Sequence, residues 1–306
     1  MSSESAFIES LRGLATHPAA RGLRDDAAVL EIAGRTLVLT HDMLVEGVHY
    51  LPGDPPGDVA WKLVAVNLSD LAAKGARPVG VLLGYSLGED AWDAAFAKGL
   101  ETALGAFAIP LLGGDTVRGN GPRTLALTAI GEADGAVPSR SGGRPGDHLW
   151  VTGTIGDAGA GLRGVSEVLV ERYRNPRPRL EAGQKLAPLV AAIMDVSDGL
   201  LIDAARLAAA SGAAAEIDLA SMPLSEAFRS ALGDARETRL EAATAGDDYE
   251  LLFAAPPARA VEILALQDEL GLPFSRIGRL AEGAGLSLTD AGESVELPPR
   301  LGWEHR

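Results

Sequence analysis

The chain of 306 residues contains no cysteine, which excludes a disulfide framework, a thiolate nucleophile and a zinc–cysteine site. No cluster of Lys and Arg stands out against a formal charge of −15. That balance argues against a nucleic-acid binder, whose phosphate contacts need grouped cations. No apolar run approaches the length of a membrane span. The N-terminus, MSSESAFIESLRGLATHP, has two acidic residues and no apolar core, so it reads as neither a signal peptide nor an anchor. A cytoplasmic location is the expectation. The phosphate loop GxxxxGK followed by Ser or Thr is missing, and so is HExxH. Gly159, Gly161 and Gly164 do fit GxGxxG. They fall inside a helix, however, and a Pro-rich break at Asn175 interrupts any βαβ unit, so they read as helix-packing residues.

What is present is a globular composition, 47% apolar and 23% charged, in a chain long enough for one large or two ordinary domains. The most informative stretch is Trp61 to Ala76, WKLVAVNLSDLAAKGA. It reads as a helix apolar on nearly every side, and such a helix is buried. An ionised carboxylate inside it costs several kcal/mol unless it is paired or holds a metal. Asp70 therefore needs a cation, and Asn67, three residues earlier on the same face, offers a neutral oxygen beside it.

Along the chain, a short N-terminal helix precedes a hairpin of strands at 27–32 and 36–40, with Asp42 at the carboxyl end of the second. Strands at 78–87, 109–112 and 123–132 and a helix at 91–107 complete a first half, in which Gly113-Gly114-Asp115-Thr116 reads as a tight turn. The segment 138–147, PSRSGGRPGD, has the Gly and Pro density of a connection, dividing the chain at 137/138. Beyond it we expect strands at 148–153, 192–196, 215–219, 249–254 and 274–280. The helices expected there span 156–173, 178–190, 200–211 and 258–270. Strands and helices mix as α+β.

Acidic residues recur at element ends or inside apolar elements: Asp25, Asp26, Asp42, Asp70, Asp115, Asp195 and Asp198. If several converge, each like-charged pair about 4 Å apart repels by roughly 4 kcal/mol at an effective dielectric of about 20. Only bound cations make that tolerable. An all-oxygen donor set with few histidines points to Mg²⁺ or a similar hard ion. Such ions also let an acidic protein hold a polyphosphate.

THDMLVEGVHY, WKLVAVNLSDLAAKGARP, LLGGDTVRG, SRSGGRPGDHLWVTGTIGDAGAGL, MDVSDGLLID and AGDDYELLF, in this order and spacing, together resemble the thiamine-monophosphate kinase family. That family belongs to the ATP-binding synthetases that include aminoimidazole ribonucleotide synthetase. The resemblance implies a PurM-like fold: an N-terminal α/β domain whose four-stranded sheet pairs with a second subunit's to form a dimeric barrel, and a C-terminal α+β domain. It implies Mg²⁺ ligands at Asp26, Thr40, His41, Asp42, Asp70, Asp115, Asp195 and Asp198. It further implies ATP contacts at Gly114, Asp115, Arg140 and Ser197, and thiamine phosphate contacts at His49, Asp247 and Trp303. An aromatic ring and an acid suit a cationic thiazolium. Two positions depart from the family pattern: Arg24 stands where Gly is usual, and His41 where a small hydroxyl residue is usual. Position 41 can therefore serve through a backbone oxygen, or its metal site has changed. The implied reaction transfers the γ-phosphoryl group of ATP to thiamine monophosphate in a homodimer, with no nucleic acid or membrane involved. The alternatives are another ATP-using synthetase of the superfamily or a noncatalytic metal- or nucleotide-binding protein.

Overall fold

A computed structural model describes residues 3–304; His305 lies outside them. After α1 (Ser3–Leu11), β1 (Ala28–Ile32) and β2 (Arg35–Val45) form a hairpin. Then follow α2 (Pro56–Ala73), β3 (Arg77–Ser86), α3 (Asp90–Ala106), β4 (Leu111–Val117) and β5 (Thr124–Ala133). The sheet has the order β1-β2-β5-β3-β4, five strands where the resemblance implied four. Only β3 and β4 run parallel. Strand β5 alternates residue by residue between buried and half-buried, the period-2 signature of a sheet with one face in a core. Helices α2 and α3 cover that face, packing Leu63, Val64, Leu68, Leu71 and Phe96 on Val38, Leu44, Leu125 and Leu127.

Helix α2 starts with Pro56 in its first turn, where the missing N–H costs nothing. It ends at Lys74 and Gly75, whose φ of +62° is the left-handed value that favours glycine after a helix. Between them it is buried on all sides.

The second half comprises β6 (His148–Thr152), α4 (Asp157–Leu162), α5 (Glu167–Arg174), α6 (Leu180–Leu186), β7 (Ala192–Asp195) and α7 (Leu200–Ala210). It continues with β8 (Ala214–Asp218), α8 (Glu226–Leu232), α9 (Arg236–Ala243), β9 (Leu251–Ala255), α10 (Ala260–Leu270), β10 (Phe274–Ala281), β11 (Gly285–Asp290) and β12 (Glu293–Val295). Its seven strands run in the order β12-β11-β8-β10-β6-β9-β7. One core lies under α7, α8 and α9. Another joins Ala72 and Ala73 of α2 to Trp150, Leu186, Ile193, Phe253 and Phe274. Helix α2 thus sits in the cores of both halves. It meets α6 backbone to backbone, because a Cβ on Gly183 would stand 1.9 Å from the Ala72 carbonyl oxygen.

Three expectations need correction. Strand β2 runs to Val45, pairing with β5 from Thr36 to Val45, so Asp42 stands inside a strand and not at its end. Gly113, Gly114 and Asp115 lie within β4 and not in a turn. The helix expected over 156–173 is two helices, separated at Gly164, whose φ is +72°. Gly159 and Gly161 do pack closely, against Ala245 and the Leu169 carbonyl. Helices α8 and α9 and strands β11 and β12 had no counterpart in the sequence reading.

Candidate active site

Asp26 just before β1, Asp70 on α2 and Asp195 at the end of β7 bring carboxylate oxygens within 4.8 Å of one another. Three separate elements, drawn from both halves, therefore converge. The Thr40 hydroxyl donates to Asp70, and the Ser69 hydroxyl donates to Asp195 at 2.6 Å. The Asn67 side-chain oxygen, expected beside Asp70, instead accepts from the Asp42 backbone N–H at 3.0 Å, while its amide donates to the Leu63 carbonyl at 2.9 Å. It fixes the strand that carries Asp42.

The charges here are unbalanced. Burial, reinforced by the charges of Asp26 and Asp198, pushes the Asp42 carboxyl up to about 6. Burial, with neighbouring carboxylates adding to it, raises Asp70 and Asp195 well above the ordinary carboxylate range. For Asp26 burial acts in the same sense, but the Lys74 ammonium and the Arg140 guanidinium outweigh it and hold the group low. Lys74 is fully buried, 2.6 Å from Asp26 Oδ2 and bonded to Asp25. That Asp26 oxygen is thus occupied by an internal cation, while Asp70 and Asp195 receive only hydroxyl donors, from Thr40 and Ser69. Three carboxyls with ligand oxygens within 4.8 Å of one another, and hydroxyls on two of them, make an all-oxygen set that fits a hard divalent cation.

The remaining residues are distributed around this cluster. Arg140 pairs with Asp26. Asp198, at the loop opening α7, pairs with Arg206. His41 is turned away: its Nδ1 lies 2.8 Å from Thr128 Oγ1, its neighbour across β5, and strand alternation sends the ring to the face opposite Asp42. Its imidazole cannot join the cluster, which leaves only the main-chain oxygen at that position. Gly114 and Asp115 stand on the exposed edge strand. The registers Asp42–Leu127, Leu127–Leu83 and Leu83–Gly114 put Gly114 three inter-strand spacings, about 14 Å, from Asp42. Within one chain these two are not brought to the carboxylates. Arg24 is exposed, and Asp26 is aimed by Lys74 and Arg140 without it.

The three expected acceptor residues are linked. Lys62 Nζ donates to the His49 carbonyl at 3.0 Å and to Asp247 Oδ2 at 2.8 Å. The Ser197 carbonyl accepts from the Asp247 N–H at 2.7 Å, and the next carbonyl, of Asp198, accepts from the Trp303 N–H at 2.8 Å. Lys62, Lys74 and Asp203 escaped the sequence reading. Asp203 Oδ2 accepts from the amides of Ser197, Asp198 and Gly199 at 3.2, 3.0 and 3.2 Å, holding the loop that carries Ser197 and Asp198. Burial, then the Asp198 charge, lifts its carboxyl to about 7.

Two mixed α+β halves meeting at a carboxylate cluster match a known architecture. Residues 24–133 match the AIR synthase related protein, N-terminal domain, and residues 144–291 match the AIR synthase related protein, C-terminal domain. The chain is 41% identical over 303 residues to the thiamine-monophosphate kinase of Caulobacter vibrioides, covering 94% of this chain and 86% of that protein. It therefore belongs to the thiamine-monophosphate kinase family. Among solved structures, the thiamine-monophosphate kinase of Stenotrophomonas maltophilia superposes with a TM-score of 0.79 at 39% identity, covering 95% of this chain and 96% of that one. AaThiL complexed with AMPPCP and TMP superposes with a TM-score of 0.86 at 30% identity, covering 99% and 97%.

Proposed function

We propose that this chain catalyses ATP-dependent phosphorylation of thiamine monophosphate to thiamine diphosphate. The observation that carries the reading is the junction of two sites at one loop: Asp195 belongs to the carboxylate cluster and the Asp198 charge acts on Asp42, while the Ser197 and Asp198 carbonyls hold Asp247 and Trp303. The kinship to a protein complexed with AMPPCP and TMP supplies the nucleotide and the acceptor.

A terminal phosphate oxygen of thiamine monophosphate attacks the γ-phosphorus of ATP. The bond from that phosphorus to the β,γ-bridging oxygen breaks, and ADP leaves. The attacking oxygen is already anionic near pH 7, so the chain has no general base to supply. Its task is in-line positioning and charge compensation. Asp26, Thr40, the main-chain oxygen at position 41, Asp42, Asp70, Asp195 and Asp198 are the groups that would hold Mg²⁺. Bound there, Mg²⁺ supplies positive charge against the polyphosphate. Arg140 and Ser197 line the nucleotide side, Arg140 exchanging Asp26 for phosphate. His49, Asp247 and Trp303 frame the acceptor.

The outer face of the first sheet carries exposed Met43, Leu82 and Leu112, an apolar surface that a second subunit would cover in a homodimeric barrel. Gly114 and Asp115 would then meet nucleotide only across that contact. The test is ADP release with Mg·ATP and either thiamine monophosphate or free thiamine. Turnover with the monophosphate alone is expected; turnover with neither, despite Mg-dependent ATP binding, overturns the acceptor.

A further inference from the structure

Lys62 is 2% exposed in a mostly apolar helix, and its ammonium has three neighbours for its three protons. Two are the His49 carbonyl and the Asp247 carboxylate. The third is the Tyr173 ring, 4.1 Å below. Tyr173 in turn donates to Asp54 at 3.2 Å, and Arg174 Nε donates to the same carboxylate at 3.1 Å, so α5 is tied to the loop after His49. One buried side chain thus touches both His49 and Asp247 from the opposite side to solvent.

The Asp247 loop needs such a hold. Gly246, Asp247 and Tyr249 have φ of +80°, +64° and +49°. For a bulky residue such as Tyr that conformation costs on the order of 1–3 kcal/mol and clusters at functional sites. Hydrogen bonds from Asp247 and Tyr249 to the Ser197 and Val196 carbonyls, 2.7 and 2.8 Å, hold the backbone. They do not aim the carboxylate. Lys62 does so from one oxygen and the Tyr249 hydroxyl, at 3.1 Å, from the other. The Asp247 side chain remains 30% exposed while that of Lys62 is 2% exposed, so a ligand can reach the acid but not the lysine.

We propose that Lys62 is a positioning residue for the acceptor, holding Asp247 and the His49 carbonyl in one frame across the two halves of the molecule. This rests on the acceptor reading above. Charge alone would act in the opposite direction: removing the lysine leaves Asp247 uncompensated and would tighten its grip on a cationic ligand.

The test uses the full chain with Lys62→Met, Lys62→Arg, Asp247→Asn and the double variant Lys62→Met/Asp247→Asn. It reads the KM for each substrate and calorimetric binding of thiamine monophosphate without ATP. Lys62→Met is expected to weaken acceptor binding about tenfold while the KM for ATP stays within about twofold, the signature of misplacement and not of general loss. The double variant should lose less than the sum of the two single losses, because both act through the Asp247 carboxylate and only the His49 contact is lost in addition. Tighter or unchanged acceptor binding, equal losses for both substrates, or additive losses overturn the proposal. If Lys62→Met does not fold, Lys62→Arg decides: a selective acceptor defect supports the frame, and an equal defect in both KM values overturns it. A wild type inactive with thiamine monophosphate overturns the acceptor reading and this inference together. An active wild type with an unaltered Lys62→Met overturns this inference alone.

Discussion

The two ends of α2 treat charge in opposite ways. Toward its start, Lys62 meets Asp247 one to one, with a carbonyl and an aromatic face completing the ammonium's surroundings. Toward its end, Asp70 meets Asp26 and Asp195, and among the described residues only Asp26 of the three forms ion pairs, with Lys74 and Arg140. A balanced pair holds position and asks nothing of solution. An unbalanced cluster is incomplete until cations arrive from outside, and is suited to a ligand that brings them.

Four experiments would break or sharpen this contrast. Asp70→Asn or Asp42→Asn should lower turnover by about 10³-fold or more, at the upper end of what one electrostatic contact to a transition state supplies. Neither should lower the melting temperature of the metal-free protein, since each removes repulsion. Near-normal ADP formation would remove that residue from the cation site. Lys74→Met should behave differently, costing about 3 kcal/mol in urea unfolding because it removes the cation that Asp25 and Asp26 share and leaves each with one guanidinium, Arg21 and Arg140; a stability change under about 1 kcal/mol would mean that those two guanidiniums suffice. Adding Mg²⁺ without nucleotide should stabilise the wild type, by about 2.7 kcal/mol when the ion is at 100 times its dissociation constant. Asp70→Asn should lose most of that gain, and an undiminished gain would place the ion elsewhere.

The smallest effect is in pH. Asp42 is raised from 3.8 to about 6 by burial and its acidic neighbours, so between those values the folded state binds the proton more than the unfolded state. Its contribution to metal-free stability therefore falls as pH rises through that window. The difference between wild type and Asp42→Asn, followed by thermal melts from pH 4 to 7, should shift in favour of the variant as pH rises. A flat difference would contradict the burial of Asp42.

Asp70 was legible in the sequence because a carboxylate among Leu, Val and Ala has few alternatives. The same burial makes Lys62 demand an anion, yet its partner lies 185 residues away, beyond any local pattern. Lys74 was hidden for a different reason: it follows the last helical residue, where a lysine is ordinarily solvated, and only the packing of α2 into the second half buries it. Asp42 was identified but misplaced, because Thr40-His41-Asp42 is polar enough to resemble a strand end, whereas pairing with β5 carries β2 on to Val45. The His41 ring could not be oriented without that longer register. Strands β11 and β12 sit in a Gly-rich tail whose alternation is too short to detect without the partner strand β8.

The close contact of Gly183 with the Ala72 carbonyl has an implication for portability. Two halves joined by a Gly- and Pro-rich connection invite exchange between relatives, as modules. Here the end of α2 is interior to the second half, so the first half made alone would expose Ala72, Ala73 and the Lys74 charge. A chimera would have to match its donor helix to the recipient's α6, at a point where one added methyl group has no room. The covalent joint lies between the two matched stretches, after residue 133 and before residue 144, but the packing seam runs through α2, so neither half is a self-contained unit for transplanting.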